Sequence, residues 1–228
     1  LQQTLSTSEK GATLSSDVAL NLLGIKTVLS FVPVTSNALV LIKERNSAAG
    51  DLFMYDNPGA LPKAYISSEV TVVSTFTEAA SRILSEKFLP GKHVVLETRD
   101  VAAHPALTQF IGQQQPIADK PSIRVAKDTH TETVINVGGL TVPGLFVLTD
   151  TYYPGWIAAV DGKETPIFPA NITQRAIVLP AQSKEVIVAY QPRSVAWGLI
   201  ISLIVEFVVV LLMVVPSAVA RLGISKTT

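Results

Sequence analysis

The run "WGLIISLIVEFVVVLLMVV", Trp197 to Val215, constrains this chain more than any other stretch. As a helix it is about 28 Å long at roughly 1.5 Å per residue. That matches the hydrocarbon core of a bilayer. It is apolar on nearly every face, with Ser202 a minor exception. A helix that packs on a soluble core keeps a polar side. Trp197 stands where an interfacial aromatic belongs, Pro216 closes the run, and Arg193 and Arg221 flank it. The sequence therefore predicts one transmembrane helix over 197–215 and a short tail over 216–228.

Glu206 falls at the midpoint of that run. A carboxylate at this depth costs several kcal/mol, of order 3, unless it is protonated, paired or turned toward other helices. A polytopic bundle accommodates such a residue and a lone anchor does not. The polar opening "LQQTLSTSEK" lacks the layout of a signal peptide. Glu206 and the opening at Leu1 rather than Met lead to the expectation of upstream transmembrane helices in the same protein. Arg221 and Lys226 after the run favour a cytoplasmic C-terminus, with residues 1–192 on the extracytoplasmic side.

Before the span, the chain reads as α+β and mainly β. Ser16 and Asp17 cap a short helix that ends at Gly24. Strand-like segments "IKTVLSFV", "ALVLIKE", "DLFMYD", "KAYISSEVTVVS" and "GKHVVLE" follow. Thr75 to Lys87 has helical spacing with a Thr75/Glu78 capping box. Residues 1–97 make a smaller α/β portion. Residues 98–121, with "QQQP" and "DKP", read as a linker or surface loop. Across 122–192 about seven short strands alternate with turn signals, the pattern of an antiparallel β-sandwich.

The most concentrated turn chemistry is "DTYYPGWIAAVDGKETPI". Pro154-Gly155 suits a type II turn and Asp161-Gly162 a type I′ hairpin. Trp156 shares a strand face with Ala158 and Val160, so it reads as a core plug before it reads as a sugar platform. Adjacent strand residues face opposite ways, so Tyr152 and Tyr153 are expected to differ, one inward and one exposed to a glycan. Arg175 is a candidate to hold a phosphate or carboxylate, although a solvated strand face is the plainer reading.

Several chemistries are excluded. There are 18 basic and 18 acidic residues, so no basic excess serves a nucleic acid. The chain has no cysteine, and His93, His104 and His130 are not at metal-ligand spacing. No phosphate loop or nucleophile elbow occurs, so no catalytic residue, metal or cofactor is assigned. "NIT" at 171–173 is a glycosylation sequon by pattern alone.

The order of "YPGW", "VDG", a proline-bounded strand, a last strand ending "YQP" and a membrane helix resembles the C-terminal end of bacterial YfhO-type membrane proteins. "NLLGIKTVLS", "NPGALPKAYI" and "GKHVVLE" extend the resemblance from about Asp17 to Val215. It implies a polytopic GT-C-type glycosyltransferase in the bacterial cell membrane. Such an enzyme takes a lipid-linked sugar donor and modifies a cell-envelope polymer. The family's catalytic acid lies in an early outer loop, so none of these residues inherits that role. The rival readings are a membrane-tethered carbohydrate-binding β-sandwich without activity, and a cytosolic domain held by a tail anchor.

Overall fold

A computed structural model describes residues 5–8, 11–14, 16–45, 50–118 and 120–221. Among them the N-terminal part runs β1 (Leu5–Ser8), β2 (Gly11–Leu14), α1 (Val18–Leu22), β3 (Thr27–Ser30), β4 (Val34–Thr35), β5 (Val40–Arg45) and β6 (Leu52–Asp56). Next come β7 (Ala64–Ser67), β8 (Glu69–Val73), α2 (Phe76–Ile83), β9 (His93–Glu97), α3 (Thr98–Ala103) and α4 (Pro105–Gly112). The remainder is β10 (Ser122–Asp128), β11 (Glu132–Gly138), β12 (Gly144–Thr151), β13 (Trp156–Val160), β14 (Lys163–Thr165), β15 (Phe168–Ala170), β16 (Gln174–Leu179), β17 (Glu185–Tyr190) and α5 (Arg193–Arg221). The chain is mainly β with one long apolar helix, as its sequence indicates.

Two antiparallel sheets form the sandwich. One has the order β10-β11-β17-β13-β14 and the other β15-β16-β12-β7. Alternation along the strands aims Ile135, Ala158, Val186 and Val188 of the first sheet at Phe146, Leu148, Ile177 and Leu179 of the second. All eight are buried. Strand β7 comes from the 1–97 portion and pairs with β12 from Ala64↔Leu148 to Ser67↔Leu145. The sandwich is thus closed by a strand far upstream of residue 122.

The second sheet is covered on both faces, which explains why "GLFVL" is a continuous apolar run. Leu145, Val147 and Phe168 on its outer face meet Val94 and Leu96 of β9 and Leu107 and Phe110 of α4. This corrects the reading of 98–121 as a linker or surface loop. Pro105 starts α4 at a position where its missing N–H costs nothing. Leu107 and Phe110, three residues apart, then bury one helical face. The polar glutamines mask this short amphipathic segment.

β8 and β9 pair in parallel, and α2 lies against them through Ala79 and Ile83. Thr75 caps α2 by accepting from the Glu78 N–H at 3.2 Å. Glu78 in turn accepts from the Ser74 N–H at 2.8 Å. The first bond satisfies a backbone donor that the first helical turn leaves open, and the second reaches back to Ser74, one residue before the cap. The helix stops at Ile83, short of the Lys87 expected from spacing.

A buried polar network ties these layers together. The Asn171 side chain accepts from the Val95 N–H at 2.8 Å and donates to the Tyr65 hydroxyl at 2.9 Å and to Gln174 Oε1 at 2.8 Å. Gln174 donates in turn to the Leu22 carbonyl at 2.5 Å. Asn171 sits at φ 46°. Asparagine tolerates this left-handed conformation better than most residues.

α5 leaves β17 after only Gln191 and Pro192. It is long and apolar enough to cross a membrane, and the described side chains from Arg193 to Met213 are all exposed. The helix passes through Pro216 to Arg221, so Pro216 does not end it. A proline removes one donor from the helix and is tolerated in apolar membrane helices.

Candidate functional site

The second sheet bends where the β12–β16 register shifts between Leu148 and Thr151. This irregularity swings Asp150 toward Arg175, the partner of Leu148 across the ladder. Leu148 faces the sandwich core, and Arg175 on the same face enters the open end of the sandwich. Its side chain is only 5% exposed. The guanidinium carbon lies 3.9 Å from the centre of the Trp156 ring, which belongs to the opposite sheet.

Asp150 is the hub. Its Oδ2 accepts from Arg175 Nη2 at 3.1 Å and from Lys63 Nζ at 3.0 Å. Lys63, just before β7, also reaches Asp128 Oδ2 at 3.2 Å. Two cations and two carboxylates therefore balance in one cluster. Together with Thr129, His130 and Trp156 they line a cleft of about 740 Å³. Arg175 Nε and Nη1 are buried without a hydrogen-bond acceptor in the protein.

Burial pushes the Arg175 pKa down, partly offset by Asp150 and then Asp128. Burial works in the same direction on Lys63, but the hydrogen bond and charge of Asp150, followed by those of Asp128, leave its pKa raised.

Arg175 corrects the expectation of a solvated strand face. Arg175 is paired with core-facing Leu148, so at this end of the sandwich its strand face is the core rather than solvent. Trp156 is half-buried against the sandwich core, sharing its face with buried Ala158 and Val160 as its spacing indicates. Its ring also packs against that of Tyr190, its neighbour on β17, tilted by 45° with 5.3 Å between ring centres.

Tyr152 and Tyr153 do not divide between an inner and an outer face. Both are exposed, at 36% and 61%, because they follow the end of β12 and lie outside any ladder. Pro154-Gly155 carries the chain from β12 in one sheet to β13 in the other, with Gly155 at φ 101°. It makes a corner between sheets, so the strict alternation of a strand does not extend through it. Neither tyrosine lines the cleft. Asp161 and Gly162, at φ 49° and 79°, form the two-residue turn of the β13–β14 hairpin. Positive φ at both positions is what a type I′ turn requires. Asp161 Oδ1 also accepts from the N–H groups of Lys184 and Glu185.

No family profile, curated protein or solved structure matches this chain. The site's meaning therefore rests on its geometry. Lys63, Asp128 and Asp150 carry no local sequence signal. Lys63 and Asp150 are separated by 87 positions and meet only because β7 joins β12. Among the described residues no group of His, Asp or Glu is arranged to hold a metal ion. The sequon asparagine, Asn171, is buried with its amide committed to Tyr65 and Gln174. Glu206 is exposed on α5.

Proposed function

We propose that this chain is the C-terminal, non-catalytic part of a polytopic membrane glycosyltransferase of the YfhO type. In this reading the sandwich stands on the extracytoplasmic face and α5 is the last span. The parent enzyme uses a lipid-linked sugar donor to modify a cell-envelope polymer. The observation that carries the reading is α5 itself, an apolar helix whose described side chains are exposed, with a carboxylate at its middle. Such a helix favours neighbouring helices that give Glu206 a partner. The resemblance in the "YPGW", "VDG" and "YQP" order adds the family.

The test is purification of the tagged protein from native membranes. The polypeptide carrying this segment should be far larger than 24.4 kDa, and it should transfer sugar from a lipid-linked donor. Residues 1–228 alone should not. A membrane polypeptide of about this size that binds glycan without transfer would replace the reading with its rival, a tethered carbohydrate-binding sandwich. The charge-balanced cleft favours that rival over an anion-binding module, since paired donors and acceptors suit neutral hydroxyls.

A further inference from the structure

We propose that the Tyr152–Gly155 corner is an interfacial anchor that seats in the lipid headgroup layer of the bilayer crossed by α5. Tyr153 leads, and the Lys63/Asp150/Arg175 cleft is thereby held open at the lipid surface. The inference rests on α5 being a span.

The corner and the root of the helix form one rigid unit. The Gln191 N–H donates to the Gly155 carbonyl at 2.7 Å. Trp156 pairs with Tyr190, the last residue of β17. A Cβ on Gly155 would lie 3.0 Å from the Tyr190 ring and 3.1 Å from Pro192. Only glycine permits this approach at a positive φ. The neighbouring β10–β11 hairpin is tied to the same point, with the Tyr190 N–H donating to the Thr131 carbonyl at 2.8 Å.

This leaves no slack between domain and helix. Tyr190 and Arg193 are three residues apart, at most about 11 Å of extended chain. Trp197 lies one turn further, about 6 Å along the axis. The headgroup layer is roughly 5–8 Å deep on each side. The Gly155–Gln191 bond therefore sets the backbone of the corner beside the start of α5, two residues before Arg193.

The side chains suit that place. Tyr152 and Tyr153 are adjacent and both exposed, beside a proline and a glycine. Tyrosine partitions to the bilayer interface, ring toward the chains and hydroxyl toward water. Exposed Arg193 supplies a cation at the same level for lipid phosphate. Continuity with α5 makes the occupant a lipid surface, since any soluble partner would have to share the space with headgroups.

Residues 1–228 contain no cysteine, which allows single-site labelling of this chain. Fluorophores are placed at His130→Cys beside the cleft, at Lys163→Cys on the distal hairpin and at Leu203→Cys within α5. The proteins are reconstituted in phosphatidylcholine/phosphatidylglycerol vesicles and quenched with lipids carrying a nitroxide on the headgroup or deep in the chain. Position 203 should be quenched by the deep nitroxide. Position 130 should be quenched by the headgroup nitroxide at least about threefold more than position 163, because only the anchored end of the sandwich lies at the interface. Adding Tyr152→Ser and Tyr153→Ser should remove most of that difference. Deep quenching at 203 with equal quenching at 130 and 163 overturns the anchor and leaves the span standing, as does a difference the serine pair does not alter. Loss of quenching at 203 overturns both.

Discussion

The Arg175 guanidinium lies 3.9 Å over the Trp156 ring, joining the two sheets at the open end of the sandwich. A buried cation there is held by one carboxylate on its edge and one aromatic face. Trp156 is consequently a structural residue with an electrostatic duty. Trp156→Ala should lower stability by about 3 kcal/mol through lost packing and lost cation–π contact. Trp156→Phe should retain most of it. Denaturant unfolding of the chain in mild detergent, followed by far-UV circular dichroism, measures both.

Asp150 and Arg175 should behave as a coupled pair. Removing one partner from a buried pair leaves an uncompensated charge, so Asp150→Asn should cost about 3 kcal/mol. Arg175→Met added to it should recover a large part, because the lone cation is gone. A double-mutant cycle in thermal unfolding reports the coupling, and strict additivity of the two losses would refute it.

Tyr65 gives the fold an alkaline limit. Burial raises its pKa well above the ordinary 10.0, although the hydrogen bond from Asn171 opposes the rise. The native state then keeps a proton that the unfolded chain releases. Its contribution is complete below pH 10 and fades as pH climbs toward the native value. Lys63, also raised, acts in the same direction above its ordinary 10.5. Wild-type Tm should fall as pH rises from about 10 to about 12. Tyr65→Phe should start lower by about 1 kcal/mol for its lost hydrogen bonds, yet lose less over that interval.

Asn171 is expected to remain unmodified when the chain is secreted by a glycosylating host, because its amide nitrogen is buried and bonded. Intact mass of the secreted protein checks this. Asn171→Ala should cost about 3 kcal/mol by orphaning the Val95 N–H and straining a positive φ.

Much of the architecture is readable from local pattern. The long apolar helix around Glu206, the strands from Ser122 to Tyr190 and the Asp161-Gly162 turn each follow from the period or chemistry of a few consecutive residues. So does the face shared by Trp156, Ala158 and Val160. What fails are inferences that need the surroundings. Residues 105–112 look polar enough for a loop until the outer face of β12 offers Leu107 and Phe110 a surface. Strand alternation would separate Tyr152 from Tyr153, but the corner between sheets breaks the period.

The cleft lies entirely in this second class. Sequence alone determined that Arg175 is on a strand and that Asp150 follows an apolar run. Only the tertiary structure brought Lys63 across from β7 and turned Arg175 inward under Trp156. The physical reason is that periodicity reports which residues share a face, whereas a charged cluster depends on which faces meet. That choice is made by burial of β12 between two layers, an energy that no short stretch of the chain contains.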